Sequence, residues 1–498
     1  SIGRVDQGDA VQSLGSSCPV PAGSTTPSMI SALLAPLSAP QADLVTSLPG
    51  FDSWPFKLYS GYLAVKGPFT LNDYDELRIH YQFHTSQRDP QNDAVVTWHQ
   101  GGPGGSSIDV GLFTEMGYFS LSSDGPSANE FAWNKVANML YLESPAGSGN
   151  SAGFSTCVKA GKPVGCKWDD VSQAEAYAHS LVEFSRAFPE FATNPLYLTG
   201  ESYFGQYGPN IASYILSHAP FNSTLPLKGI AAGNACWGGD ETSVACNGPN
   251  EERNDVEMYF GKGLVSKKLY EQVQAACDGQ FDEPGAACDV LLERVSAEVG
   301  PHNVYNIYDN CDEMEERLAA HNKSMRWARQ RLRADLAPRS SSAEGGFTWR
   351  CGGMAATEEW ITRPDVRKAL HLDAPHKSSF HYSLSGPASI TLWPSLSAKL
   401  RVLIYNGDAD ACVPYKGNEE WIGMLEKRGV LTEAKAWRPW YLPGKRRAPA
   451  GYVTAYTPSE GKHDFSFLTI RLAGHMVPTY QPAASLAFIS SFLDAKPF

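Results

Sequence analysis

The stretch Asn194-Pro-Leu-Tyr-Leu-Thr-Gly-Glu-Ser202-Tyr-Phe-Gly205-Gln-Tyr207 joins an apolar run, a tight turn and the start of a helical pattern. Residues 196–199 predict a buried strand, and residues 207–216 predict a helix. A serine between such a strand and helix is lifted out of the backbone, next to a helix N-terminus that stabilises developing negative charge. Ser202 is therefore a candidate nucleophile. Gly-x-Ser occurs by chance in most chains of this length. Other motifs must therefore show whether Ser202 is catalytic.

Strand-like and helix-like segments alternate through the first 235 residues and again after residue 400. Residues 94–98 and 139–142 predict buried strands that run into loops rich in Gly, Pro and Ser, and residues 169–187 predict an amphipathic helix. Residues 400–405 repeat the strand pattern, and residues 419–426 repeat the helical one. Strands that alternate with helices predict an α/β fold with a mostly parallel sheet, covered by helices on both faces.

The composition changes between residues 236 and 350, where cysteine, charge and helical patterns accumulate. Five cysteines, including Cys277 and Cys288, crowd into this region, and residues 265–276 and 289–298 predict helices. We interpret residues 236–350 as a Cys-rich helical insertion or cap in a discontinuous core of residues 1–235 and 351–498. Basic and then small polar residues predict a processing linker near 325–347, because exposed loops of this composition are readily nicked. An uncut helix with a flexible tail is the alternative.

Composition excludes several classes of protein. The formal net charge of -12, without an offsetting basic stripe, argues against nucleic acid binding, and no run of 18 apolar residues predicts a membrane span. The N-terminus, which lacks an initiator Met, is interpreted as a mature start. Ten cysteines and the sequons at Asn222 and Asn322 favour the secretory pathway. Cys157 and Cys166 predict a local disulfide, and no Cys/His set has zinc-finger spacing, so no metal is expected.

Loops that follow the predicted strands carry the candidate chemistry. After the first strand comes His99-Gln-Gly-Gly-Pro-Gly-Gly-Ser-Ser107, whose glycines let the backbone approach a ligand and turn N–H groups inward. A glycine-rich turn that serves only geometry is the alternative. Asp410 follows the strand at 400–405, and His475 precedes a predicted helix at 482–493. The order Ser202, Asp410, His475 is the nucleophile, acid and histidine order of α/β-hydrolases.

Taken together, these motifs resemble the serine carboxypeptidase family nearly from end to end. They include Leu48-Pro-Gly-Phe51, Gly101-Gly-Pro-Gly104, Leu142-Glu-Ser-Pro-Ala-Gly147, Gly200-Glu-Ser-Tyr203, Gly407-Asp-Ala-Asp410 and Ala473-Gly-His-Met-Val-Pro478. The resemblance implies an α/β-hydrolase core with a helical insertion, and it implies neither a cofactor nor a metal.

The resemblance also implies a role for each matching residue. Ser202 would attack the scissile carbonyl, His475 would take its proton and pass it to the leaving amine, and Asp410 would hold the imidazole. Asp410 is chosen over Asp408, which is expected to brace the turn. The backbone N–H groups of Gly102 and Tyr203 would form the oxyanion hole.

A carboxypeptidase must also grip the free carboxylate of its substrate. The resemblance assigns this task to Gln100, Gly101, Glu201 and Glu115, although Glu115 considered alone would be an exposed helix residue. A carboxylate can hydrogen-bond another carboxyl group only if one of them carries a proton, so binding is expected to weaken as pH rises. Met476 would line the leaving-group subsite, where its flexible thioether suits apolar side chains.

We therefore expect a serine-type carboxypeptidase that releases C-terminal amino acids at acidic pH through an acyl-enzyme. Its partners would be the C-termini of peptides or proteins, and it would act as a monomer or homodimer. The expected location is the secretory pathway, in a vacuole or lysosome or outside the cell. An acyltransferase with the same acyl-enzyme is the alternative, and a non-catalytic secreted binding protein is a weaker one.

Three positions depart from the family pattern. Gln100 stands where the family usually has Asn, which is one methylene shorter. Gly105 replaces a Cys that usually bridges to the far end of the insertion, so Cys351 lacks its expected partner. Phe204 stands where the nucleophile turn usually has Ala or Gly, so this bulky side chain must find room.

Overall fold

The computed structural model describes residues 40–122, 125–149, 154–237, 246–281, 284–309, 354–373, 379–445 and 447–498. The strands in these ranges are β1 (Leu44–Val45), β2 (Leu58–Lys66), β3 (Glu76–His84), β4 (Val95–His99), β5 (Phe119–Ser122), β6 (Gly125–Ala128), β7 (Asn138–Leu142), β8 (Thr156–Lys159), β9 (Lys162–Val164), β10 (Cys166–Asp169), β11 (Leu196–Glu201), β12 (Leu227–Gly233), β13 (Phe380–Ser383), β14 (Arg401–Gly407), β15 (Leu431–Trp440), β16 (Gly451–Pro458) and β17 (Phe465–Ile470). The α-helices are α1 (Asp170–Ala187), α2 (Phe204–Ser217), α3 (Phe221–Thr224), α4 (Glu251–Gly261), α5 (Lys267–Cys277), α6 (Ala286–Val299), α7 (Met354–Ile361), α8 (Pro364–Ala369), α9 (Ser389–Ser397), α10 (Tyr415–Lys427), α11 (Val477–Tyr480) and α12 (Pro482–Leu493). A π-helix spans Ser107–Met116, and short 3-10 helices span Gln41–Asp43, Trp133–Lys135 and Pro189–Phe191.

One large sheet organises the described residues. Its main path runs β1-β2-β3-β7-β4-β11-β12-β14-β17-β16-β15, and β8 and β9 attach beside β3. The six central strands from β7 to β17 are parallel, while β1 to β3 on one flank and β15 and β16 on the other are antiparallel. The predicted mostly parallel sheet flanked by helices is confirmed, and it is an α/β-hydrolase fold.

Both faces of the central sheet are buried, which explains why its strands show continuous apolar runs rather than alternation. In β11, Leu196 and Leu198 point into one core with α1 and α2, and Tyr197 points into a second core with the π-helix and α12. The carboxyl ends of parallel strands meet at one edge of a sheet, so the loops after β4, β11, β14 and β17 lie near one another.

The predicted helices of the insertion are present as α5 and α6. Together with α4 they surround a separate apolar cluster that also takes in Ala411, next to the loop after β14. Backbone hydrogen bonds fasten the end of this segment to the same loop, from Ala411 N–H to Val304 O (2.9 Å) and from Ile307 N–H to Ala409 O (3.0 Å). Segment 303–307 is therefore attached directly to the loop that carries Asp410.

Three disulfides among the described residues join cysteines that lie close together in the sequence, 9 to 11 residues apart. The predicted Cys157–Cys166 bridge is confirmed, and two more, Cys236–Cys246 and Cys277–Cys288, lie in the predicted insertion. Of the predicted sequons, Asn222 is exposed on α3, whereas Asn322 lies outside the described residues. The predicted linker at 325–347, the domain boundary near 350 and Cys351 also lie outside them. Within the ranges given above, no helix is both long and apolar enough to cross a membrane.

The bulky Phe204 finds room between two glycines. A Cβ atom on Gly200 would lie 2.4 Å from Phe204 Cγ, and one on Gly208 would lie 2.6 Å from Phe204 Cζ. Phe204 is almost completely buried, in the same core as Tyr207 and Ile230. Missing side chains on both neighbours thus accommodate the ring in the nucleophile turn.

We predict that Gly208→Ala destabilises the protein. Alanine favours helices over glycine, but the added methyl group would overpack Phe204, at a cost of about 1–3 kcal/mol. Thermal unfolding measures the change. Gly423→Ala is the matched control, because a Cβ on this glycine in α10 meets nothing within 4 Å. If both variants have the same Tm, or if the Gly208→Ala penalty is undiminished in a Phe204→Ala background, where the close contact with Ile230 Cδ1 (2.9 Å) remains, the packing argument is wrong.

Candidate active site

Ser202 lies at the junction of β11 and α2 in a conformation that non-glycine residues rarely adopt. Its φ is 60°, and neighbouring backbone holds it there. Ser202 N–H donates to Gly233 O, and Ser202 O accepts from the N–H groups of Gly205 and Cys236, each at 2.9 Å. A Cβ on Gly205 would lie 2.0 Å from Cys236 O, so glycine is required at this position. The half-buried Ser202 side chain is thereby presented at the sheet edge.

The structure brings Asp410 and His475 together from the loops that follow β14 and β17. His475 Nδ1 lies 2.7 Å from Asp410 Oδ2, and both side chains are at most 1% exposed. The carboxylate also accepts from the backbone N–H groups of Cys412 (2.8 Å) and Val413 (3.2 Å). These bonds fix the orientation of Asp410, so its second oxygen faces the imidazole.

Asn234 is a further partner of Asp410, and sequence reasoning missed it. Its Nδ2 donates to Asp410 Oδ2 at 2.7 Å, and its Oδ1 accepts from Gly407 N–H at 3.1 Å. Asn234 follows β12 directly and has a φ of 41°, which Asn tolerates better than most residues. The available signal was an Asn that follows a short run of apolar and small residues, 229–233, which alone does not distinguish a site residue from a turn.

Opposing effects set the pKa of His475. Burial lowers it, but the nearby charges of Asp410 and Glu201 outweigh burial, so the pKa lies above its ordinary value. The ring also contacts Tyr305, with ring centroids 5.2 Å apart, and His475 N–H donates to Tyr305 O at 2.7 Å. The second ring nitrogen, Nε2, is buried and makes no hydrogen bond with any described residue.

Asp408 does not contact the histidine ring. Its Oδ1 accepts from Leu472 N–H at 2.8 Å, and its Oδ2 forms an ion pair with Lys262 at 3.1 Å. Asp408 thus ties the loop after β17 to Lys262, which directly follows α4, as expected for a residue that braces the turn.

The glycine loop after β4 lies directly against the nucleophile turn. A Cβ on Gly101 would lie 2.5 Å from Ser202 Cβ and 2.6 Å from Tyr203 N, so only glycine allows this approach. Gly102 has a φ of 117°, which also favours glycine. The structure therefore places the predicted oxyanion donors, on Gly102 and Tyr203, in two loops that touch.

The Gln100 side chain is buried and links Trp98 to Glu201 through two hydrogen bonds. Trp98 Nε1–H donates to Gln100 Oε1 at 2.8 Å, and Gln100 Nε2–H donates to Glu201 Oε1 at 2.6 Å. Glu115 is only 4% exposed, so the interpretation of this residue as an exposed helix glutamate is wrong. It lies in the π-helix, whose irregular geometry the sequence pattern did not indicate.

Burial controls the protonation of the two glutamates. It raises the pKa of Glu115 to about 8, against weaker opposing interactions with Glu201 and Gln100. Burial also raises the pKa of Glu201 well above its ordinary value, and the charge of Glu115 raises it further. Both carboxyl groups are therefore neutral at acidic pH and can donate a hydrogen bond.

Met476 follows His475 at the start of α11 and is fully buried. Its role in the leaving-group subsite remains a prediction.

Comparisons with known proteins agree with this geometry. The sequence model of the serine carboxypeptidase family matches residues 49–495. Serine carboxypeptidase-like 20 of Arabidopsis thaliana is 31% identical, over 92% of this chain and 94% of that protein. The lysosomal protective protein of Mus musculus is 32% identical, over 93% and 95%.

A solved structure shows the same fold. Kex1(delta)p, a prohormone-processing carboxypeptidase from Saccharomyces cerevisiae, aligns with a TM-score of 0.64 at 20% identity, over 92% of this chain and 97% of that one. The fold, the order of the motifs and the match along almost the whole chain lead to one conclusion: this protein belongs to the serine carboxypeptidase family and is a serine-type carboxypeptidase, a hydrolase.

Proposed function

We propose that the protein removes single residues from the free C-termini of peptides at acidic pH, through an acyl-enzyme on Ser202. The observation that carries this proposal is the location of two buried glutamates beside the nucleophile turn. Glu201 directly precedes Ser202, and burial raises its pKa, as does the charge of Glu115. A site of this kind suits a substrate that brings its own carboxylate to the reacting bond.

In this mechanism, Ser202 Oγ attacks the scissile carbonyl while His475 takes its proton through Nε2. Asp410 accepts the hydrogen bond from Nδ1–H, which fixes the tautomer and stabilises the imidazolium. The proton then passes to the leaving amine, so the C-terminal residue departs with a neutral amino group. A water molecule, activated by the same histidine, releases the acyl group and restores Ser202.

The negative charge that develops on the carbonyl oxygen is stabilised by backbone N–H groups of Gly102 and Tyr203. Each such donor typically lowers the barrier by about 3 kcal/mol. Asp170 supports this arrangement, because its buried carboxylate accepts from Tyr203 Oη at 2.9 Å.

The substrate carboxylate is bound by Gln100, the N–H of Gly101, and the protonated Glu201 and Glu115. Below the raised pKa values both glutamates are neutral and donate hydrogen bonds. As pH rises through the pKa of Glu115, about 8, the cluster becomes negative and repels the substrate. Recognition of a carboxylate is therefore complete at acidic pH and is lost as the pH rises above the pKa of Glu115.

Catalysis at low pH also requires an unprotonated His475. Charge on Glu201 contributes to the raised pKa of this histidine, so protonation of Glu201 removes that contribution. Protonation of the glutamates thus permits binding of the carboxylate. It also lets His475 remain an unprotonated base at lower pH. The resulting pH profile has an acid limb from His475 and an alkaline limb from the glutamates.

An acyltransferase, the alternative expected from the sequence, would use the same acyl-enzyme with an alcohol acceptor. The hydrogen bond between Gln100 and Glu201 favours recognition of a carboxylate, and hence the peptidase. Met476 would line the pocket for an apolar leaving residue. Similarity to the lysosomal protective protein supports an acidic compartment of the secretory pathway as the place of action.

We predict that Ser202→Ala and His475→Ala each lower kcat on a blocked dipeptide by at least about 1,000-fold, because each removes a member of the catalytic triad. Initial rates at pH 5 and a thermal unfolding curve test this together. Asp408→Asn is the control, because Asp408 braces the same loops without contacting the histidine ring. Turnover near the wild-type rate by both alanine variants would refute the triad assignment.

We predict that the C-terminal charge of the substrate determines how KM depends on pH. For a dipeptide with a free carboxylate, KM should rise as pH increases through about 8, since Glu115 loses its proton there. The same peptide as a C-terminal amide should lack this rise and be cleaved poorly at low pH. Glu201→Gln should raise KM for the acid at low pH and flatten its pH dependence. Equal KM profiles for acid and amide would contradict the proposed clamp.

A further inference from the structure

Gly105 lies beneath the Gln100 side chain at the predicted carboxylate site. A Cβ atom on Gly105 would lie 2.9 Å from Gln100 Cγ and 3.4 Å from Gln100 Cβ. Carbon atoms in contact are normally separated by about 3.5–4.0 Å, so such a group could not coexist with the present path of Gln100. Because Gly105 has a negative φ, its backbone conformation alone does not demand glycine.

Both ends of the Gln100 amide are fixed, so the side chain has little freedom to yield. The indole of Trp98 can only donate, which means that Oε1 of Gln100 must face Trp98 Nε1 and its Nε2 must face Glu201. Trp98 is itself confined, because a Cβ on Gly111 of the π-helix would lie 2.2 Å from its Cδ1. Displacement of the Gln100 stem would therefore break at least one of the two hydrogen bonds.

The donation from Gln100 also determines where the proton of Glu201 resides. Glu201 Oε1 accepts from Gln100 Nε2–H at 2.6 Å, so the neutral carboxyl group carries its proton on Oε2. Loss of this hydrogen bond would remove the interaction that directs the proton to Oε2. The path of Gln100 thus orients the group that donates to a substrate carboxylate.

We propose that Gly105 is a specificity-determining position, which acts through Gln100 to orient Glu201 toward a substrate carboxylate. The inference rests on the proposed carboxypeptidase function and deepens it. The inference also explains two departures from the family pattern together, Gln100 and Gly105. The longer Gln100 side chain occupies the space into which a cysteine at position 105 would place its Cβ. Gly105 is a positioning residue and does not contact the substrate.

The test compares one blocked dipeptide in two forms, with a free C-terminal carboxylate and with a C-terminal amide, at pH 5. The ratio of the two kcat/KM values reports recognition of the carboxylate. Gly105→Ala should lower this ratio about tenfold, as expected for the loss of a hydrogen bond to a carboxyl group, mainly through KM of the acid. Gly423→Ala, on the open surface of α10, should leave the ratio unchanged.

A second background separates positioning from general damage. A Cβ on Gly105 would also lie 2.9 Å from Gly101 O, which adds a structural cost independent of Gln100. Because Gly101 N–H belongs to the same proposed clamp, that cost can lower the ratio as well, but by the same factor with or without Gln100. In a Gln100→Ala background, where the ratio is already low, Gly105→Ala should therefore lower the ratio by clearly less than it does in the wild-type background. An equal fall of the ratio in both backgrounds would overturn the inference.

Gln100→Asn provides a variant that adds no steric clash. Its shorter amide cannot keep both the Trp98 and the Glu201 hydrogen bonds along the present path, so the ratio should again fall several-fold. A ratio at the wild-type value would overturn the inference. Failure of the proposed function would look different: the wild-type protein itself would not prefer the acid, whatever the variants do.

Discussion

The close approach of two loops at Gly101 is the constraint on which the site depends. With no side chain at this position, the loop after β4 lies against Ser202 and Tyr203, closer than any Cβ would permit. That contact places backbone N–H groups, the nucleophile and the Gln100 amide within one small volume. Parallel strands make the contact possible, because β4 and β11 are neighbours that end at the same edge of the sheet.

Burial of ionisable groups is the second shared feature. Asp410 remains hydrogen-bonded by backbone and by Asn234, whereas Glu115 and Glu201 have mainly one another and Gln100. The first environment stabilises a charge and the second opposes it. Two kinds of carboxyl group, one suited to support a cation and one suited to donate a proton, can thus stand close to the same imidazole.

Much of this arrangement could be predicted from the sequence. The strand and helix on either side of Ser202 have continuous apolar patterns, and helix α12 begins and ends where its pattern does. Local patterns carry less information about contacts between distant segments. Asn234 became visible as a site residue only through its hydrogen bond to Asp410, and Glu115 was hidden in a π-helix that lacks the usual helical period. Gly200 and Gly208 acquired meaning only with the ring of Phe204 in place.

The attachment of segment 303–307 to the catalytic loops has a consequence for which changes in sequence the fold tolerates. Segment 303–307 bonds through its backbone to the Asp410 loop, and Tyr305 O accepts from His475 N–H. Backbone partners constrain the path of a segment more than the identity of its side chains. Substitutions on helices α4 to α6 should therefore be tolerated more readily than a change in the length of segment 303–307, which would displace the loops that carry Asp410 and His475.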